Sequence, residues 1–146
     1  MNLLYFIPGL RILLGILFIV AGSLKLPNLK GFSVIVASYG LLPRQLVKPA
    51  AYILPFLEFF AGWWILSGKY LLYSASAGLL LMIAANVFVV FGLIRKKKME
   101  NCGCYGAAVK VPLSWKKLAE NIFWTLLLVI LIIAAKQYET IMLSYS

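Results

Sequence analysis

The chain has 146 residues, 64% of them apolar and 12% charged, with a formal net charge of +10 and a mean hydropathy of +0.98. Soluble domains are about half apolar and about a quarter charged, so this composition describes a single membrane-embedded domain whose solvent is lipid. Histidine and aspartate are absent and the acids are Glu58, Glu100, Glu120 and Glu139, which excludes a Ser-His-Asp triad, histidine-ligated metals and imidazole acid–base chemistry.

The first apolar segment covers residues 3–24 and is interrupted only by Arg11. It is too long for a signal-peptide core and lacks a small-residue cleavage site, so it reads as a retained helix. An amphipathic connection follows over 27–49. The second segment, 46–66, contains Pro55 and Glu58, and Pro55 is expected to kink it. A tight turn at Ser67-Gly68-Lys69 leads to the third segment, 70–94. The longest polar connection, 95–117, precedes the fourth segment, 118–135. Each segment is near the ~20 residues that cross a hydrocarbon core, and lipid obliges each to be helical. The expected fold is all-α: an integral-membrane four-helix bundle, up-down-up-down, over residues 1–146.

Four spans put both long connections on one face. That face carries Lys25, Lys30, Arg44, Lys48, Arg95, Lys96, Lys97, Lys98, Lys110, Lys116 and Lys117, against Lys69 and Lys136 on the other. The positive-inside rule then sets the long loops in the cytoplasm and the termini outside. Basic residues that flank apolar segments serve topology and anionic-lipid contact, not nucleic-acid binding. No GxxxxGKS/T or GxGxxG run offers a nucleotide cradle.

Gly15 and Gly22, Ala61 with Ser67, and Ser74 with Gly78 recur at helical spacing and suit close helix packing. Trp63, Trp64, Tyr70, Tyr73 and Trp115 lie near segment ends, as interfacial aromatics do.

The intramembrane polar residues form a candidate pocket set: Arg11, Lys25, Glu58, Asn86 and Asn121. Counted from the helix ends, Arg11 and Glu58 sit at similar depth, so they are expected to pair. Such a pair either holds the bundle together or faces a polar cavity that binds a proton or ligand. Asn86 and Asn121 lie near the long-loop end, where they either hydrogen-bond between helices or line a pocket under the loop. Glu120 has Lys116 and Lys117 within helical reach for a local ion pair.

Both cysteines lie in one loop motif, Cys102-Gly103-Cys104-Tyr105-Gly106. Two thiols this close share one redox event or one soft metal ion. The cations at 95–98, with Lys110 beyond the motif, are expected to lower a thiol pKa below the free value of about 8.5. A disulfide closed across a single residue is a tight ring and is readily reduced, which suits exchange. Gly103 and Gly106 keep the loop backbone accessible.

Several stretches together resemble the DoxX superfamily. They are Arg11-x-x-x-Gly15-x-x-Phe18-x-x-Ala21-Gly22-x-x-Lys25-Leu26, then Tyr39-Gly40-Leu41-Leu42-Pro43, then Leu54-Pro55-x-x-Glu58-x-x-x-Gly62. The cysteine motif is similar to the CGCFG signature of the redox-associated MauE branch. The resemblance implies a four-helix membrane protein that assists maturation of disulfide-rich methylamine dehydrogenase beside a thioredoxin-like partner. The branch is also similar in layout to the four-helix core of vitamin K epoxide reductase, which passes electrons from a dithiol to a quinone. This chain departs from that reductase in having CxC for CxxC and no second cysteine pair.

Three functions follow. The first is a thiol–disulfide oxidoreductase in which Cys102 and Cys104 react with a thioredoxin-like or other thiol protein, or with a quinone. The second binds or transports a soft metal (Cu, Zn or Hg) on the same cysteines, with a dimer or partner supplying the missing ligands. The third is a non-catalytic assembly or lipid-contact protein.

Overall fold

A computed structural model of the chain describes residues 2–145. It contains helices α1 (Leu3–Lys25), α2 (Leu29–Tyr39), α3 (Arg44–Ser67), α4 (Leu71–Ile94) and α5 (Trp115–Ser144), with a single 3-10 turn, Leu26–Asn28, between α1 and α2. Among the described residues α1 continuing into α2, α3, α4 and α5 are long and apolar enough to cross a membrane. The four long helices alternate in direction and form the expected bundle. Their outward faces carry large apolar side chains such as Ile16, Phe60, Leu80 and Leu126, as lipid contact requires.

The α1–α3 pair is the closest in the bundle, and glycine makes it so. A Cβ on Gly62 would lie 2.6 Å from the Gly15 carbonyl oxygen, and one on Gly22 would lie 2.7 Å from that of Pro55. The two backbones therefore touch at two levels, which fixes their register. α3 continues unbroken through Pro49 and Pro55. At the end of the bundle nearer the termini, Leu14, Ile65, Ala75, Leu128 and Leu131 are fully buried and form the main apolar core. α3 and α4 join there through a turn in which Gly68 and Tyr70 take positive φ, 71° and 51°.

The long-loop end is built differently. The amphipathic connection is itself mostly helix. Asn28 caps α2 by accepting from the Gly31 N–H at 2.8 Å, and Gly40 ends it with φ 67°. α2 lays Phe32 and Val36 against Val47 and Ala51 of α3, while Tyr39 packs edge-on against Phe88 of α4. Ser114 caps α5, accepting from the Lys117 N–H at 3.2 Å, and the helix runs past Ala135 to Ser144. Between the two regions lies a cavity of about 450 Å³.

Candidate functional site

The cysteine loop is a tied structure. Its neck is closed by the Cys102 N–H donating to the Val111 carbonyl at 2.7 Å and the Leu113 N–H donating to the Met99 carbonyl at 3.1 Å. Inside it, the Asn101 side chain accepts from the Gly103 N–H at 2.9 Å and donates to the Gly106 carbonyl at 3.0 Å. Gly106 has φ 80°, and a Cβ there would lie 2.6 Å from the Leu24 carbonyl oxygen. Both the conformation and the approach to the end of α1 require glycine.

Two side chains clamp the backbone of the thiol pair. The buried Tyr39 hydroxyl donates to the Cys102 carbonyl at 2.7 Å. The Lys25 ammonium, 3% exposed, donates to the Cys104 carbonyl at 2.7 Å and to Glu58 Oε2 at 2.5 Å. A charge this deep is tolerable only with a counter-ion and further hydrogen bonds, and the Glu58 carboxylate and the Cys104 carbonyl supply both.

The two thiols are free and unequal. Cys102 is buried, and the Cys104 N–H points at its sulfur from 3.4 Å. The Cys104 thiol donates to the Cys102 sulfur; with the Cys104 N–H and the nearby Lys117 cation, this overcomes burial and lowers the Cys102 pKa to about 7. Cys104 is half-buried and moves the other way: its proton is engaged by Cys102 and burial opposes its charge, so its pKa is raised. The Asn121 amide lies 3.9 Å from the Cys104 sulfur. Lys117, nearly fully buried, also donates to Glu120 at 2.8 Å and sits 4.3 Å over the Tyr105 ring, whose hydroxyl donates to Glu120 at 3.0 Å.

The cavity lies directly beneath this loop. Cys102, Cys104, Lys25, Glu58 and Asn121 are on its wall, with Tyr39 and Phe88 beside them. The candidate set is thus divided. Lys25, Glu58 and Asn121 meet the dithiol, whereas Arg11 and Asn86 do not line the cavity. Asn86 instead donates to Thr125 Oγ1 at 2.9 Å, an interhelical bond between α4 and α5.

The expected Arg11–Glu58 pair is replaced by Lys25–Glu58. Arg11 lies at the other end of α3, where a Cβ on Gly68 would collide with its guanidinium. A cation there complements the helix C-terminus. The glycine contacts explain the exchange: with Gly15 against Gly62 and Gly22 against Pro55, Arg11 falls level with the end of α3, well away from Glu58. The expected thiol acidifiers are also corrected. Lys97 donates to the Ser38 carbonyl at 2.6 Å, and the cation that acts on Cys102 is Lys117. Sequence reasoning gave Lys117 only to Glu120, and it gave Tyr39 no role although the tyrosine stood in a quoted motif. Among the described residues no three His, Cys, Asp or Glu side chains gather to hold a metal.

The family model described as methylamine utilisation protein MauE matches residues 1–134, a stretch that spans the bundle from α1 into α5 and includes the cysteine loop. The chain belongs to the MauE family. A curated relative, methylamine utilization protein MauE of Paracoccus denitrificans, is 26% identical over 119 residues, covering 82% of this chain. The chain spans 64% of the length of that relative. No solved structure matches the chain. MauE membership and four apolar helices together make this a multi-pass membrane protein.

Proposed function

We propose that this MauE-family protein is a membrane thiol–disulfide exchange protein serving a methylamine-utilisation system, with Cys102 and Cys104 as the reacting pair and a thioredoxin-like protein as partner. The observation that carries this reading is the inequality of the two sulfurs. Cys104 is the more accessible, and Cys102 is the one whose thiolate is stabilised. In the disulfide form, a partner thiolate attacks the Cys104 sulfur and the S–S bond breaks with its electron pair leaving on Cys102. The lower-pKa sulfur is the better leaving group. A second partner thiol then attacks the mixed disulfide and releases Cys104. The partner ends as a disulfide and the pair as a dithiol, two electrons and two protons having passed between them.

The excess of basic residues at this end supports a cytoplasmic loop with the termini on the opposite side. Labelling of Cys104 in intact cells by a membrane-impermeant maleimide would reverse that assignment. The test of the chemistry is Cys102→Ser beside Cys104→Ser in the native cell. Cys102→Ser is expected to retain a reductant-sensitive adduct on Cys104, Cys104→Ser to retain none, and both to lose function equally. Full activity in both single variants overturns the redox reading. The soft-metal alternative has two sulfur ligands on this chain and needs others from a partner; thiols that titrate only after a chelator is added would favour it.

A further inference from the structure

The cavity opens sideways, between α3 and α4. Leu46, Pro49, Ile53 and Leu57 line it from α3, and all four are exposed although they belong to a membrane-spanning helix. Their spacing of three or four residues places them on one helix face. Opposite them, the lining residue Ala84 of α4 is exposed as well. From Leu46 to Leu57 the opening is ~16 Å long at 1.5 Å per residue. Beyond it the two helices touch, where a Cβ on Gly78 would lie 3.1 Å from Ile65 Cδ1. A crevice that begins at the loop end and stops about half-way through a ~30 Å hydrocarbon core is one leaflet deep.

We propose that this crevice is a binding site for one acyl chain of an anionic phospholipid, whose headgroup phosphate is held at the loop end by Arg44 and Arg95. The site does not depend on the thiol-exchange reading. Its entrance is flanked by apolar residues of two spanning helices, so whatever enters comes from the bilayer. The polar groups on its wall already serve one another. Lys25 donates to Glu58 and to the Cys104 carbonyl, Tyr39 donates to the Cys102 carbonyl, and the Asn121 amide is turned to the Cys104 sulfur. A polar occupant would give up hydrogen bonds to water and find few in exchange, whereas hydrocarbon has none to lose. The one-leaflet depth fits a chain that hangs from a headgroup at the loop end.

Charge selects the headgroup. Arg44 stands between the lining residues Leu42 and Leu46, at the start of α3. The lining residues Ala84 and Phe88 recur at helical spacing with Arg95, just past the end of α4, and the Arg95 guanidinium lies 5.1 Å from the centroid of the Phe91 ring. Both arginines are exposed. Among the described residues the ion-paired cations are Lys25 and Lys117, so neither arginine has a carboxylate partner. A guanidinium presents paired N–H donors that match phosphate oxygens. With a chain in the crevice, water is excluded from the cavity wall at Glu58 and Cys102.

The experiment uses the full chain carrying Trp63→Phe, Trp64→Phe and Trp115→Phe, which leaves Trp124 on the cavity wall as the one indole. Phosphatidylcholine vesicles receive rising fractions of chain-brominated phosphatidylglycerol or chain-brominated phosphatidylcholine, and bromine in the crevice quenches Trp124. Phosphatidylglycerol should reach half-maximal quenching at a fraction about tenfold or more below that of phosphatidylcholine. Arg44→Gln with Arg95→Gln should abolish that difference, and Ala84→Phe, which narrows the opening, should weaken quenching by both lipids several-fold. Equal half-maximal fractions, or a preference that survives the double arginine replacement, overturns the headgroup site. No quenching by either lipid, or undiminished quenching in folded Ala84→Phe, overturns the chain site. Unfolding midpoints show which variants are folded. The wild-type chain gives an independent reading: taken from an equimolar mixture of the two lipids into detergent, it should retain one phosphatidylglycerol by native mass spectrometry. Equal retention of both lipids, or of neither, overturns the proposal.

Discussion

The two ends of the bundle are made by the same helices and solved in opposite ways. Near the termini, Leu14, Ile65, Leu128 and Leu131 leave no exposed surface, and no charged side chain is buried among them; the fully buried Ser74 hydroxyl is satisfied by the Leu71 carbonyl. At the long-loop end, Lys25, Glu58, Lys117 and Asn121 are buried, an open volume separates the helices, and α2 is wedged between α3 and α4. In lipid there is no hydrophobic gain in hiding leucine from leucine-like surroundings, so the closed end is held by packing. The open end is held by a few charge-assisted hydrogen bonds, and it is the end where both cysteines stand.

The largest expected effect is at the open end. Lys25→Met or Glu58→Gln leaves one buried charge without its counter-ion, costing about 3–5 kcal/mol, and Lys25→Met also frees the Cys104 carbonyl. The double replacement Lys25→Met with Glu58→Leu should recover much of that loss. In the same stability assay, Arg11→Met and Glu58→Gln should add to within about 0.5 kcal/mol, because the two sites share no partner. Strong coupling between them would restore the pairing that the structure rejects.

Next comes the closed end. Leu14→Ala or Leu131→Ala should cost about 2–5 kcal/mol through the cavity it leaves, while the rate at which Cys102 is alkylated stays at its wild-type value in the folded protein. A change in thiol reactivity would show that the two ends are coupled through the helices.

The smallest effect is electrostatic. The Cys102 pKa is lowered to about 7, so its thiolate fraction, and hence its alkylation rate, should rise as pH climbs through that value and fall below it. Lys117→Met removes a cation that favours the thiolate. The midpoint should therefore move up, and an unmoved midpoint would leave the acidification to the hydrogen bonds from Cys104 alone.

The four spans were legible because lipid imposes length and hydropathy on each of them, and the cysteine loop because its chemistry has no rival in the chain. The partner of Glu58 was not. Measuring depth from helix ends assumes that all helices start level, whereas α3 extends past α1 at the loop end to meet α2. The register is set by glycine contacts, Gly15 with Gly62 and Gly22 with Pro55. Those glycines were visible, but which helix each one faced was not. The same holds for Asn86 and Asn121: at similar depth, they differ by which helix face meets α5 and which meets the loop. Lys117 was assigned by its neighbour in sequence, and its second task on Cys102 arises from the loop folding back over the start of α5.

The carbonyl clamps on Cys102 and Cys104 have a kinematic consequence. With Tyr39 and Lys25 each holding one cysteine's backbone oxygen, and Gly106 pressed on the end of α1, the cysteine pair is tied to the bundle at three points. In the proposed exchange role it would react where it stands and not as a swinging arm, so anything that trades electrons with it would have to travel to it. A protein partner would have to carry its reactive sulfur on a projection slender enough to reach Cys104 where it stands.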